Sequence, residues 1–137
     1  MGRSWESPAG NLFASTIVRL QPTDPQAPSL AFVAALAVRD TLHQIAPECV
    51  VQIKWPNDVL SADGAKLCGI LLERTGDAVI VGIGINLTSS PEIPGRATSN
   101  LKALGVLPPH PQAVVEILAS SMAIWLARWR QYGLQAL

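Results

Sequence analysis

Hydrophobic positions in this chain recur at two periods, two residues in some stretches and three to four in others. Residues 78–87 (AVIVGIGINL) show the shorter period most plainly. On a strand, Ala78, Ile80, Gly82, Gly84 and Asn86 would share one face, and Val79, Val81, Ile83, Ile85 and Leu87 the other. Residues 50–55 and 66–74 (KLCGILLER) predict two further strands, with turns at Ala62-Asp63-Gly64 and Thr75-Gly76-Asp77. Strands joined by tight turns run antiparallel, so residues 50–87 read as a three-stranded meander. Residues 11–20 (NLFASTIVRL), bounded by Pro8-Ala9-Gly10 and Pro22, predict a largely buried strand. Three prolines within residues 21–28 mark a surface loop.

The longer period appears twice. Ser29 can cap a helix reaching about Ile45, with Leu30, Val33, Ala34, Ala37, Val38 and Leu42 near one face, and Pro47 beyond its end. Pro111 opens a second, longer helix whose stripe is Val114, Ile117, Leu118, Ser121, Met122, Trp125 and Trp129. Between them, Thr98 or Ser99 can cap a short helix through Leu101 and Leu104, stopped by Gly105. These elements predict an α+β domain: a mixed, largely antiparallel sheet with helices packed mainly on one face.

Composition narrows the function. With 137 residues and 49% apolar content there is room for one domain with a real core. Charged residues are only 15%, against about a quarter in ordinary soluble chains, which fits thick burial or surfaces meant to pack against something else. Ten basic and ten acidic residues balance without clustering, which argues against a nucleic-acid groove or an anionic membrane surface. Cys49 and Cys68 are too few for a disulfide framework and lie at no metal-ligand spacing, so reduced thiols are expected. No apolar run approaches the roughly 18 residues of a membrane span, and Trp5-Glu6-Ser7-Pro8 breaks any signal-peptide core. A cytoplasmic protein is the expectation.

Two runs carry candidate chemistry. In Lys54-Trp55-Pro56-Asn57-Asp58 the proline removes a backbone donor and ends the strand, leaving Lys54 at the tip of a rigid element. Such an amine could meet a substrate anion, or it could be a snorkelling lysine beside an ordinary turn. In the last strand, Gly82 and Gly84 leave one face bare. A flat ligand could lie there, with Asn86 offering donors and an acceptor, or a helix could pack closely instead. The Gly-Ile-Gly lies inside a strand with no helix after it, so it is no dinucleotide fingerprint.

Taken in order, Gly2-Arg3, Trp5, Ser7-Pro8, Asn11-Leu12, Lys54 to Asp58, Lys66 to Glu73, Gly82-Ile83-Gly84-Ile85-Asn86 and Ala97-Thr98-Ser99 resemble the catalytic domain of biotin protein ligase. The resemblance runs from about Gly2 to the end. It implies one catalytic domain over residues 1–137, incomplete at both ends relative to the family: the start of the arginine-rich loop, the contacts to the biotin ureido ring and a small C-terminal barrel have no counterpart. It also implies ATP, biotin and Mg²⁺, and formation of biotinyl-5'-AMP followed by transfer to a lysine of the biotin carrier domain of acetyl-CoA carboxylase.

Residue by residue, Lys54 matches a lysine that bridges the biotin carboxylate and the phosphate. Gly2 and Arg3 match the end of the loop over the adenylate, and Trp5 an aromatic at the biotin end. Gly82, Gly84 and Asn86 fit the nucleotide, and Gly69, Ile70 and Leu71 fit backbone contacts to the biotin tail. Asn57 and Asp58 are expected to hold the turn that fixes Lys54, and no residue stands out as a metal ligand. An inactive ligase-like binding or dimerisation module is the alternative, and lipoate–protein ligase, which shares the fold, a weaker one. A homodimer stays open. Some relatives carry a DNA-binding domain, but no helix-turn-helix or basic patch supports one here.

Overall fold

The structure, a computed structural model, describes residues 8–137. Five strands form one sheet: β1 Leu12–Arg19, β2 Val51–Lys54, β3 Asp58–Ser61, β4 Lys66–Thr75 and β5 Ala78–Ile85, in the order β1-β5-β4-β3-β2. Helix α1 (Leu30–Ile45) connects β1 to β2, and helix α2 (Pro111–Tyr132) lies near the C-terminus. The α+β class is as expected, with two differences. Among the described residues every pairing between these five strands is antiparallel, the one parallel bridge being the isolated Lys66–Thr98 pair, and β2 to β5 form a meander of four strands rather than three. The additional strand is β3. All four of its residues are buried, so they show none of the alternation by which a half-exposed strand is read.

The turns follow from their glycines. Gly64, with φ +88°, closes the β3–β4 turn, and Gly76, with φ +62°, occupies the two-residue loop between Thr75 and Ala78. The alternation of β5 is borne out: Val79, Val81, Ile83 and Ile85 are buried with Val59, Cys68 and Ile70 beneath α1. Helix α1 is buried on nearly every side, because the sheet covers one flank and α2 another. Its alanines, Ala31, Ala34, Ala35 and Ala37, allow both neighbours to approach closely.

Ser29 does not cap α1. One turn of 3-10 helix at Ala27–Ser29 precedes the helix, and the Ser29 hydroxyl donates to the Gln26 carbonyl at 2.6 Å. The same oxygen accepts from Trp129 Nε1 at 2.8 Å, which ties the start of α1 to the end of α2. Helix α2 begins at Pro111 as expected, and His110 Nδ1 accepts from the Gln112 amide at 3.1 Å. The short helix expected near Thr98 is absent; residues 101–105 form turns. There the Leu101 and Lys102 amides donate to the carbonyls of Asn86 and Leu87, so they are unavailable for a helical ladder. Asn11 clamps the same region: its Oδ1 accepts from the amides of Leu87, Thr88 and Ser89.

Trp129 is fully buried and holds two elements by one hydrogen bond. Trp129→Ala is expected to destabilise the fold by about 3–5 kcal/mol. Urea unfolding followed by far-UV circular dichroism checks this, and a loss near zero would show that α2 is not part of the core.

Candidate site on the open sheet face

Directly opposed residues of an antiparallel sheet point to the same side. The register therefore aligns Phe13, Gly84, Gly69, Asp58 and Lys54 across all five strands, on the face turned away from α1. A second row beside it contains Ser15, Gly82 and Leu71. Both glycines of β5 and Gly69 of β4 thus lie near the middle of one surface. A Cβ built on Gly82 would meet only Leu71 among the described residues, at 3.6 Å or more, so neither α1 nor α2 packs there. A groove of about 260 Å³ lies over this row, lined by Ser15, Leu71, Glu73, Ile80 and Gly82.

A bulge adds a cation to this face. Val59 pairs with Cys68 but Leu60 pairs with Lys66, so Leu67 is an extra residue in β4. Strict alternation would put Lys66 on the helix side with Cys68. Beyond the bulge it lies on the open side instead, where its Nζ is 3.2 Å from Asp58 Oδ1. Its Cε and Nζ lie 3.3 Å from where a Gly69 side chain would begin. Glycine at 69 leaves room for that lysine. The second Asp58 oxygen accepts from Arg96 Nη2.

Arg96 arrives through backbone pairing. Lys66 donates its amide to the Ala97 carbonyl at 2.9 Å and accepts from the Ser99 amide at 3.0 Å. Asn86 Nδ2 donates to the Ser99 carbonyl at 3.1 Å and toward that of Lys66 at 3.4 Å.

Burial, with only 8% of Asp58 exposed, pushes its carboxyl up. The Arg96 hydrogen bond, the Lys66 charge and hydrogen bond and the Arg96 charge outweigh that, and hold the group below its ordinary value of 3.8. Burial raises the Cys68 thiol far above its ordinary range on the opposite face, so it offers no nucleophile. A larger groove, about 360 Å³, lies between β1 and α2. Its lining, which includes Ala14, Thr16, Val115 and Met122, carries no charge, so the chemistry belongs to the other face.

Among the expected residues, Lys54, Gly69, Leu71, Gly82 and Gly84 come together on the open face. Lys54 is exposed and has no ion-pair partner among the described residues. Ile70 turns its side chain into the core, and its amide and carbonyl are both bonded to Asn57, at 3.2 and 2.9 Å. Asn57 thereby ties the turn to β4, the holding role expected of it. Asp58 instead pairs two cations. The two donors of Asn86 are engaged by the carbonyls of Lys66 and Ser99, which leaves its oxygen for a ligand. Gly2, Arg3 and Trp5 lie outside the described residues. Lys66 and Arg96 were not singled out by sequence reasoning; the signal for Lys66 was its place three residues before Gly69.

The described residues do not fit a protein-held Mg²⁺. They contain no group of three potential metal ligands, and both oxygens of Asp58 are engaged by cations. No helix among them is long and apolar enough to cross a membrane.

An antiparallel sheet face left uncovered at Gly82, with amines on the same side, is an architecture suited to a flat, anionic ligand. Its kind is shown by comparison: the chain belongs to the Biotin/lipoate A/B protein ligase family, whose profile matches residues 1–88. It is 40% identical, over 144 aligned positions, to the biotin–[acetyl-CoA-carboxylase] ligase of Paracoccus denitrificans, covering 96% of this chain and 59% of that protein. The ligase of the same name from Mycobacterium tuberculosis is 35% identical over 133 positions, covering 94% and 50%. A biotin protein ligase from Aquifex aeolicus, solved in complex with biotin and ATP, superposes with a TM-score of 0.81 at 28% identity, covering 96% of this chain and 56% of that one. The chain thus spans between 50% and 59% of the length of these curated relatives.

Because the Asp58 carboxyl is held below its ordinary value, its contribution to stability is present at neutral pH and lost as pH falls through the lowered value. The stability difference between the wild type and Asp58→Asn is expected to stay constant from about pH 7 to 5 and to shrink below about pH 4. Parallel urea titrations across that range check it; a difference independent of pH would separate Asp58 from the two cations.

Proposed function

We propose that residues 1–137 form part of one catalytic domain of an ATP-dependent biotin protein ligase, and that the open sheet face is where biotin and ATP meet. The observation that carries this is the open sheet face, where Gly82 leaves backbone uncovered beside a groove and the amines of Lys54 and Lys66 stand on the same side. The similarity to ligases named for biotin favours the biotin side of the family over the lipoate side.

In the first step the biotin carboxylate oxygen attacks the α-phosphorus of ATP. The bond from that phosphorus to the bridging oxygen breaks, and pyrophosphate leaves with the electron pair. Two anions must be held together while charge grows on the phosphoryl oxygens, which point charges on rigid strands can do. Lys54 and Lys66 are the described amines suited to it. Lys54 has no competing carboxylate among the described residues, and Lys66 is held in place by Asp58.

The rows through Gly82 and Gly84 would take the adenylate, with the Asn86 oxygen as an acceptor. Gly69 and Leu71 would border the biotin tail, and Gly2, Arg3 and Trp5 would close over the product, as the family resemblance implies. In the second step a lysine amine of an acceptor attacks the acyl carbon, the bond to AMP breaks, and the amine releases a proton as the amide forms. The acceptor we propose is the biotin carrier domain of acetyl-CoA carboxylase.

The test is biotin-dependent exchange of labelled pyrophosphate into ATP, using the product of the whole reading frame that contains this chain. Exchange is expected, and Lys54→Ala or Lys66→Ala should each lower its rate by about 100-fold or more. No exchange by the wild type would sink the ligase reading. An unchanged rate in either variant would remove that amine from the site.

A further inference from the structure

Arg96 has no part in the chemistry above, yet it occupies half of the one carboxylate in the central row. Its loop does not need it as an anchor. Backbone bonds from Lys66 to Ala97 and Ser99 already hold the segment, Asn86 bonds the Ser99 carbonyl, and Thr98 Oγ1 donates to the Pro91 carbonyl at 2.8 Å. What Arg96 adds is charge. Arg96, Asp58 and Lys66 together carry one net positive charge. Without Arg96, Asp58 and Lys66 would cancel, and the lysine would face a ligand as half of a closed ion pair. The guanidinium is the better partner for the carboxylate, since it is planar and permanently charged. Lys66 keeps two further N–H donors that Asp58 Oδ1 does not take.

Resting on the ligase reading, we propose that Arg96 is a positioning residue: by holding one oxygen of Asp58 it keeps Lys66 a net cation toward the carboxylate of bound biotin. The effect runs through Asp58, and Arg96 need not touch the ligand. Removing the Asp58 charge as well should therefore restore what loss of Arg96 takes away.

Calorimetric titration separates the outcomes. The probes are biotin and biotinol, the neutral alcohol in which the carboxylate is replaced; the proteins are the product of the whole reading frame and its Arg96→Ala, Arg96→Lys and Asp58→Asn/Arg96→Ala variants. Arg96→Ala should weaken biotin about tenfold or more and leave biotinol unchanged, Arg96→Lys should retain most of the affinity, and the double variant should recover it. Recovery in the double variant would also show that loss of Arg96 had not unfolded the site. Unchanged biotin affinity in Arg96→Ala would overturn the proposal. So would equal weakening of both ligands, which marks a structural anchor, or a loss that the double variant does not recover, which marks direct contact. A wild type that binds neither ligand would overturn the ligase reading itself, and the role of Arg96 with it.

Discussion

In β4 two consecutive residues, Lys66 and Leu67, face the single position Leu60 of β3, and this extra residue carries Lys66 from the buried face to the open one. The energetic alternatives are unequal. On the helix side the ammonium would sit among Val59, Cys68 and Ile70, where burial of an unpaired charge costs several kcal/mol. On the open side it finds Asp58 at 3.2 Å. At an effective dielectric of about 20, two unit charges about 4 Å apart attract by about 4 kcal/mol, and desolvation of both groups offsets part of that. The bulge also turns the Lys66 backbone toward the loop, so that its amide and carbonyl pair with Ala97 and Ser99. One irregularity in one strand thus brings both Lys66 and Arg96 to Asp58.

The opposite face makes this precision possible. Four of the five strands present Leu12, Ile85, Cys68 and Val59 in one buried row, and α1 with α2 covers them. A slip of one residue in any strand would exchange this row with its neighbour, sending valines and isoleucines to water and Asp58 beneath the helix. Burial of the helix side therefore fixes the register on which the other side relies. Asn11 and Asn86 extend that order past the end of β5: one gathers three loop amides, the other draws the Lys66 strand and Ser99 together. Gly82 can remain uncovered because stability is supplied from the other side of the sheet.

Much of the scaffold could be read from residue pattern. The alternation of residues 78–87 assigned both faces of β5 correctly, and the stripe from Val114 to Trp129 marked the buried side of α2, although Ile117 lies at its margin. What escaped was either too short for a period or set by tertiary partners. Strand β3 has four residues, all buried, and so carries no alternation. Ser29 has the residue type of a helix cap, but Trp129, 100 positions away, takes its oxygen. Leu101 and Lys102 sit in a helix-prone run, but their amides are claimed by the end of β5. The site was legible only in part. Lys54, Gly82 and Gly84 stand out by type and spacing. Lys66 is misplaced by alternation until the bulge is known, and Arg96 reaches Asp58 across 38 positions from just outside the run Ala97-Thr98-Ser99.

The same geometry explains why two separate runs of the sequence act as one unit. Asp58 ends the first run and Gly69 lies in the second, and the two are register partners. A side chain at 69 would press on the Lys66 ammonium at 3.3 Å, so the absence of one there is a condition for the lysine to reach the aspartate. The proline and asparagine of the first run bring Asp58 back beside Lys54, while Asn57 bonds both polar groups of Ile70 and fixes that turn to β4. Asn57 and Asp58 of the first run are therefore positioned by the second, and the lysine of the second by the first. A substitution at Asp58 is expected to be felt at both amines, because its carboxylate holds Lys66 and its backbone is the register partner of Lys54.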